Sequence, residues 1–272
     1  MPAAPEHGAP VPSATPERGA EQAPHRSSQA PQSWSFALFA VLTTVAIIIV
    51  ALSAPVLFDH LVVPIWQSLG LPGELKGATE RAWGHILSFQ LAVIALTVLM
   101  AGVAPGRGPS LGWQAPAGRL SWLKPFVVTV VVSIITAFVA FTYFSDIVAQ
   151  DLKPIRQMID GAPLWLAFVA LAIGAPLSEE LLFRGFLLHR LRQTRIGFWG
   201  GAIIANVGWA LLHFQYSWLG LADVFLAGLL FSWALWRTGS IWVPISFHAL
   251  YNATVFAILL IPSTQTWVPA LW

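Results

Sequence analysis

Cysteine is missing altogether from this chain, which removes disulfides, thiolate metal ligands and a cysteine nucleophile together and leaves the redox compartment unmarked. Charge is scarce as well. Only 10% of the 272 residues are Asp, Glu, Lys or Arg while 57% are hydrophobic, whereas a soluble domain carries roughly 25% charged residues. An ordinary soluble globule is therefore excluded. The net charge of +2 is small and scattered, so no nucleic-acid partner is expected. No period of 20 to 50 residues repeats, which excludes a solenoid or array.

What the chain does have is long uncharged runs. A helix crossing a ~30 Å hydrocarbon core needs about 20 apolar residues, and seven stretches qualify: Phe36–Leu57, Trp83–Ala104, Pro125–Phe144, Leu164–Leu188, Ile196–Phe214, Trp218–Trp236 and Ile241–Ile261. The fold class read from them is all-α, a polytopic transmembrane helical bundle of about seven spans, with the lipid bilayer as its surroundings. Residues 1–33 hold seven prolines and almost nothing bulky and apolar, and are expected to be a disordered tail. A cleaved signal peptide needs a basic start followed directly by a short apolar stretch, whereas the first apolar run here begins only at Phe36 and is long enough to span, so the tail is expected to stay attached. Residues 34–145 then form the N-terminal helices and residues 146–272 the C-terminal ones.

With alternating helices, one set of loops receives Arg107, Arg119, Lys124, Arg190, Arg192, Arg195 and Arg237, and the other receives Lys76, Arg81, Lys153 and Arg156. Seven against four places the first set, and the N-terminus, in the cytoplasm. Many of the fourteen tryptophans, among them Trp34, Trp122, Trp165 and Trp218, fall near predicted helix ends, where an indole anchors at the membrane interface.

Ionisable groups inside spans are costly and mark functional sites by default. Here they are His85, Glu179, Glu180, Arg184, His213, Asp223 and His248, joined by the amides Gln90, Asn206 and Asn252. All but His85 and Gln90 lie in the last four spans, so a site belongs to the C-terminal half. Glu180 and Arg184 are four apart and can pair on one helix face, which reads as structural. Glu179 points about 100° away and is the carboxylate left over. His248 and Asn252 share a face, and Gly197, Gly201, Ala205, Trp209 and His213 form a row at every fourth residue whose small members permit close helix approach. His85 and Asp223 lie near span ends, where headgroups tolerate them. Asn206 and Gln90 read as interhelical hydrogen-bonding groups.

A carboxylate beside an imidazole in a water-poor site can hold and deprotonate water, directly or through a metal. Donors such as His248 and Asn252 could stabilise the oxyanion formed when water adds to an amide. Other intramembrane chemistries lack their residues. There is no H-E-x-x-H pair, no serine motif, only one aspartate within any span, and no lysine within a span for a Schiff base. Rival readings are a non-catalytic membrane scaffold or bacteriocin-immunity protein, a proton-coupled transporter relaying through Glu179 and His213, and a haem protein with His213 and His248 as axial ligands.

Three motifs in order carry a resemblance. Glu179 to Arg184 reads EELLFR, an E-E-x-x-x-R pattern; Trp209 to His213 reads WALLH, in the place of F-x-x-x-H; and RTGSIWVPISFHALYN, Arg237 to Asn252, ends in H-x-x-x-N. Over about residues 164–260 the chain resembles the CPBP family of intramembrane proteases, which takes in type II CAAX prenyl endopeptidases and Abi or bacteriocin-processing proteins. The resemblance implies an intramembrane endopeptidase acting on a membrane-associated protein or peptide. It implies that Glu179 and His213 activate water, that His248 and Asn252 form the oxyanion hole, and that Glu180 and Arg184 support the helix. The family is described both as glutamate-based and as metal-dependent. The cofactor is therefore either none or a divalent metal such as zinc, held by Glu179, His213 and His248. Trp209 stands where phenylalanine is usual and supplies an aromatic wall beside His213. A prokaryotic inner-membrane location is expected.

Overall fold

A computed structural model describes residues 31–70, 78–103, 111–116, 118, 120–160 and 163–261; residues 1–30 of the expected disordered tail lie outside them. The described residues form eight helices and no strand: α1 (Trp34–Ser68), α2 (Ala78–Val103), α3 (Leu123–Tyr143), α4 (Ser145–Ile159), α5 (Leu164–Leu191), α6 (Gly197–Leu211), α7 (Trp218–Thr238) and α8 (Trp242–Leu260). Chains this apolar become helices because hydrocarbon offers no partner to a backbone N–H or C=O, and a helix satisfies both internally. Local chemistry sets the ends. Ser33 caps α1 by accepting from the Phe36 N–H, Ser217 caps α7 by accepting from the Gly220 N–H, and Gly239 ends α7 at φ 68°, where a Cβ would be strained. Helix α1 is interrupted at Leu52 and Ser53, just ahead of Pro55, whose ring and missing N–H prevent an unbroken helix.

Six helices, namely α1, α2, α3, α5, α7 and α8, are long and apolar enough to cross a membrane. Helix α6 is apolar but has 15 residues, roughly 22 Å at 1.5 Å per residue, short of the hydrocarbon thickness. The sequence count of about seven thus corresponds to six long apolar helices and one shorter one. Helix α6 stops at Leu211, so His213 sits in the turn that follows it.

Helix α5 is the centre of the bundle, with every residue from Leu181 to Leu188 buried. It departs from α-helical winding twice, in wider π turns over Val169–Gly174 and Leu181–Leu188, a feature frequent at functional sites. Wider turns leave carbonyls needing donors. The Ala170 carbonyl accepts from Gln90 Nε2 at 3.0 Å and the Leu171 carbonyl from Asn252 Nδ2 at 2.8 Å, so α2 and α8 are tied to the same bulge. The small-residue row on α6 does what its spacing predicts: a Cβ on Gly201 would meet Leu191 at 2.9 Å, so α6 lies closely against α5. Amphipathic α4 packs Leu152, Ile155, Met158 and Ile159 against Trp83, Ala167, Phe256 and Leu259, residues at one end of α2, α5 and α8. Apolar side chains on the outer faces, such as Val131, Ile134 and Phe138 of α3, stay exposed, as lipid contact requires.

Apolar burial gives helices little mutual attraction in lipid, so buried polar contacts and close packing hold them. Gly228 on α7 illustrates both. A methyl there would collide with Asn206 Oδ1 and Arg184 Nη2, two atoms already bonded to each other at 2.6 Å. Gly228→Ala is expected to destabilise the protein by about 1–3 kcal/mol, the usual cost of overpacking, read as a lower thermal unfolding midpoint in detergent; an unchanged midpoint would refute the packing argument.

Candidate active site

The two glutamates end the stretch Ala175–Glu180, the α-helical piece of α5 between its two π turns. As neighbours on a helix they diverge by about 100°, and the structure gives them opposite surroundings. Glu180 is fully buried; its Oε1 accepts from Arg184 Nη1 at 2.8 Å and from His248 Nδ1 at 3.0 Å. Glu179 keeps 24% of its side chain exposed. Its Oε2 accepts from Trp209 Nε1 at 2.5 Å and lies 4.0 Å from His248 Nε2. The latter gap is too long for a direct hydrogen bond and short enough for one water molecule bonded to both groups.

Arg184 is the link to the other helices. Besides Glu180 it donates from Nη2 to Asn206 Oδ1 on α6 at 2.6 Å; Asn206 Nδ2 donates to Ser232 Oγ on α7 at 3.3 Å, and Ser232 Oγ donates to the Gly228 carbonyl at 2.9 Å. All four side chains of this chain, Glu180, Arg184, Asn206 and Ser232, are buried to 0% exposure. A buried pair needs hydrogen bonds to its remaining polar atoms, and one network spanning three helices supplies part of them, leaving Glu180 Oε2 and Arg184 Nε without a protein partner. The sequence showed the Glu180–Arg184 pair and the interhelical part of Asn206, but it gave no sign of Ser232 or of the His248 contact.

His248 is buried, stacked on Phe231 with ring centroids 5.1 Å apart and edge-on to Trp209 at 5.3 Å. Its Nδ1 faces a carboxylate, which can only accept, so Nδ1 carries a proton and Nε2 is the nitrogen turned toward Glu179. His213 is half-buried; its Nδ1 donates to the Trp209 carbonyl at 3.0 Å, and its ring packs edge-on to the Trp209 indole at 5.5 Å. By the same reasoning its Nε2 is the free nitrogen. No hydrogen bond or ion pair among the described residues joins His213 to Glu179, and Trp209 stands between them as their shared partner. Asn252 uses one amide hydrogen on the Leu171 carbonyl and has a second to give.

Tyr216, which the sequence reading passed over, also belongs here. It follows His213 in the turn before α7, with ring centroids 5.5 Å apart. Burial, reinforced by the Glu179 and Asp151 carboxylates, pushes its phenol up to about 12, so at working pH it is a neutral O–H donor. No sequence pattern marks it; only the turn brings it to the site. His85 and Asp223 lie outside the cluster: His85 pairs with Asp59 at 2.9 Å and Asp223 accepts from Tyr251 at 2.5 Å, in keeping with their structural reading.

A metal on Glu179, His213 and His248 needs three ligating atoms turned to one point. Among the described residues no three His, Asp or Glu side chains gather in that way. As placed, the three do not fit a metal ion.

The fold and site together define a helical protein with several membrane-crossing segments, holding a carboxylate–imidazole pair against a buried ion-pair network. Comparison with known proteins shows what this stretch is similar to. Residues 161–254 match the family model described as type II CAAX prenyl endopeptidase Rce1-like, over the part of the chain that holds the three motifs. An uncharacterised 24.3 kDa protein of Escherichia coli is 38% identical over 96 residues, 35% of this chain and 43% of that protein. A Bacillus subtilis (strain 168) protein described as a candidate membrane peptidase, YdiL, is 28% identical over 114 residues, 42% and 45% of the two chains. The UPF0177 protein YxdF of Lactococcus lactis is 31% identical over 111 residues, 40% and 60% of the two. The chain spans about half the length of the curated relatives it matches. No solved structure matches it significantly.

Proposed function

We propose that this protein is an intramembrane endopeptidase that hydrolyses a peptide bond of a membrane-associated protein or peptide. The observation that carries this reading is the position of Glu179. It is a partly exposed carboxylate bound on one oxygen by an indole N–H and lying 4.0 Å from His248 Nε2, while its neighbour Glu180 takes the arginine.

The mechanism follows from those contacts. Glu179 accepts a proton from a water molecule as the water oxygen attacks the carbonyl carbon of the scissile amide. His213, with Nδ1 held on the Trp209 carbonyl, offers Nε2 as the second acceptor through which that proton travels. The carbonyl oxygen becomes an oxyanion, and His248 Nε2 and the remaining Asn252 amide hydrogen are its donors. To donate from Nε2 while Nδ1–H stays on Glu180, the His248 ring must carry both protons; its charge and that of Arg184 then balance Glu179 and Glu180. The C–N bond breaks, and the proton taken from water goes to the leaving amine. The neutral Tyr216 phenol is a further donor at the mouth of the site. The loop charges support a cytoplasmic N-terminus, and a prokaryotic inner membrane is the proposed location.

The test is cleavage of fluorogenic peptides carrying an apolar anchor by purified protein in liposomes. Wild type is expected to cleave, and His248→Ala to lose roughly 10²- to 10³-fold in kcat, the usual loss on removing an oxyanion donor. Cleavage by His248→Ala at the wild-type rate would remove His248 from the mechanism. Cleavage that persists with a strong chelator supports the glutamate route, while loss restored by added zinc would transfer water activation to a metal.

A further inference from the structure

We infer that Trp209 is a positioning residue of this site, whose indole N–H fixes the carboxylate of Glu179 in the orientation from which it meets water; the inference rests on the hydrolytic reading above. A phenyl ring at this position would give the aromatic wall without a donor. The structure uses the difference. Trp209 is 3% exposed, and its Nε1 reaches across from α6 to Glu179 Oε2 on α5 at 2.5 Å. A buried indole N–H needs an acceptor, and this carboxylate oxygen is the one it has.

Three further contacts set the indole plane. The guanidinium carbon of Arg184 lies 4.4 Å from the ring centroid, His248 packs against the ring at 5.3 Å, and His213 does so at 5.5 Å while donating to the residue's own carbonyl. A cation over the ring face draws electron density toward itself, and in a low-dielectric interior such polarisation strengthens the adjoining hydrogen bond. Arg184 thus contributes to Glu179 without touching it. A carboxylate partly open to water has rotamers to choose from; a charge-assisted bond to a fully packed ring selects one. With Oε2 engaged by the indole, Oε1 is left as the oxygen free to take a proton.

Two measurements decide the matter, one independent of catalysis. Replacing Trp209 with 3-benzothienylalanine keeps the size and shape of the ring and removes the N–H. The expected result is kcat lower by roughly ten- to a hundredfold, the worth of one charge-assisted bond, with KM within about twofold and the thermal midpoint retained. Trp209→Phe is expected to lose kcat to a similar extent, and if it fails to fold the isosteric variant carries the test. In protein labelled with 15N-tryptophan, the indole N–H resonance absent from Trp209→Phe, or from the benzothienyl variant, is expected to move upfield in Glu179→Ala, as a donor does on losing a carboxylate. Wild-type kcat in the benzothienyl variant, or an unmoved resonance, overturns the assignment. Should the wild type cleave no peptide at all, the endopeptidase reading fails and the positioning role with it, whereas the resonance still reports whether the bond itself exists.

Discussion

Glu179→Gln is expected to lower kcat/KM by about 10²- to 10⁴-fold, the range for removing a general base, and to leave the fold intact. The amide has the shape of the carboxylate and its Oε1 can still accept from the Trp209 indole, so the packing around the site is kept. What it cannot do is take a proton from water. Arg184 keeps its partners Glu180 and Asn206, since it is not bonded to Glu179, and His248 keeps Glu180 on Nδ1. The thermal midpoint should hold or rise, since a charge is removed from apolar surroundings. Peptide turnover and unfolding measured on the same preparation separate the outcomes. Turnover at the wild-type rate would end the assignment of Glu179 as the base, and a collapse of the midpoint would recast it as a structural acid.

The largest effect on stability is expected at Arg184. Arg184→Leu leaves Glu180 ionised or neutral at 0% exposure with only His248 to answer it, and strands Asn206 Oδ1. Breaking one partner of a buried pair costs about 3–5 kcal/mol. The companion variant, Glu180→Leu with Arg184→Leu, removes both charges and is expected to recover at least half of that loss, since exchanging a buried pair for apolar groups is often near neutral. It should nevertheless stay inactive, because His248 no longer has an acceptor on Nδ1 and its ring is free to turn away from Glu179. Chemical unfolding of the single and double variants forms a cycle whose interaction energy reports the pair. Equal stability of wild type and Arg184→Leu would mean that the network spanning α5, α6 and α7 holds nothing together. Recovered turnover in the double variant would mean that Glu180 does not orient the imidazole.

Much of this was legible in the sequence because it depends on neighbours within one helix. Hydropathy over about 20 residues gave the spans; spacing of four gave the Glu180–Arg184 pair and the small-residue face of α6; and the motifs gave the resemblance that the family-model match over residues 161–254 shares. The differences share a cause. Hydropathy puts His213 inside a span, but it does not see where a helix stops, and α6 ends at Leu211. The resemblance pairs His213 with Glu179 on one water, and no sequence pattern shows that its Nδ1 is held on the Trp209 carbonyl, a bond decided by the turn after α6. Trp209 was an aromatic wall by its ring, while its donor function depends on the carboxylate 30 residues away. The sequence by itself determined that a glutamate without a local partner would lie within an apolar helix, because charge and periodicity are local properties of the chain. Only the tertiary structure decided which groups answer it, because His248 is 68 residues from Glu180 and Asn206 is 22 from Arg184, and separations of that length are closed by the packing of α5 against α6 and α8 and not by any helical repeat.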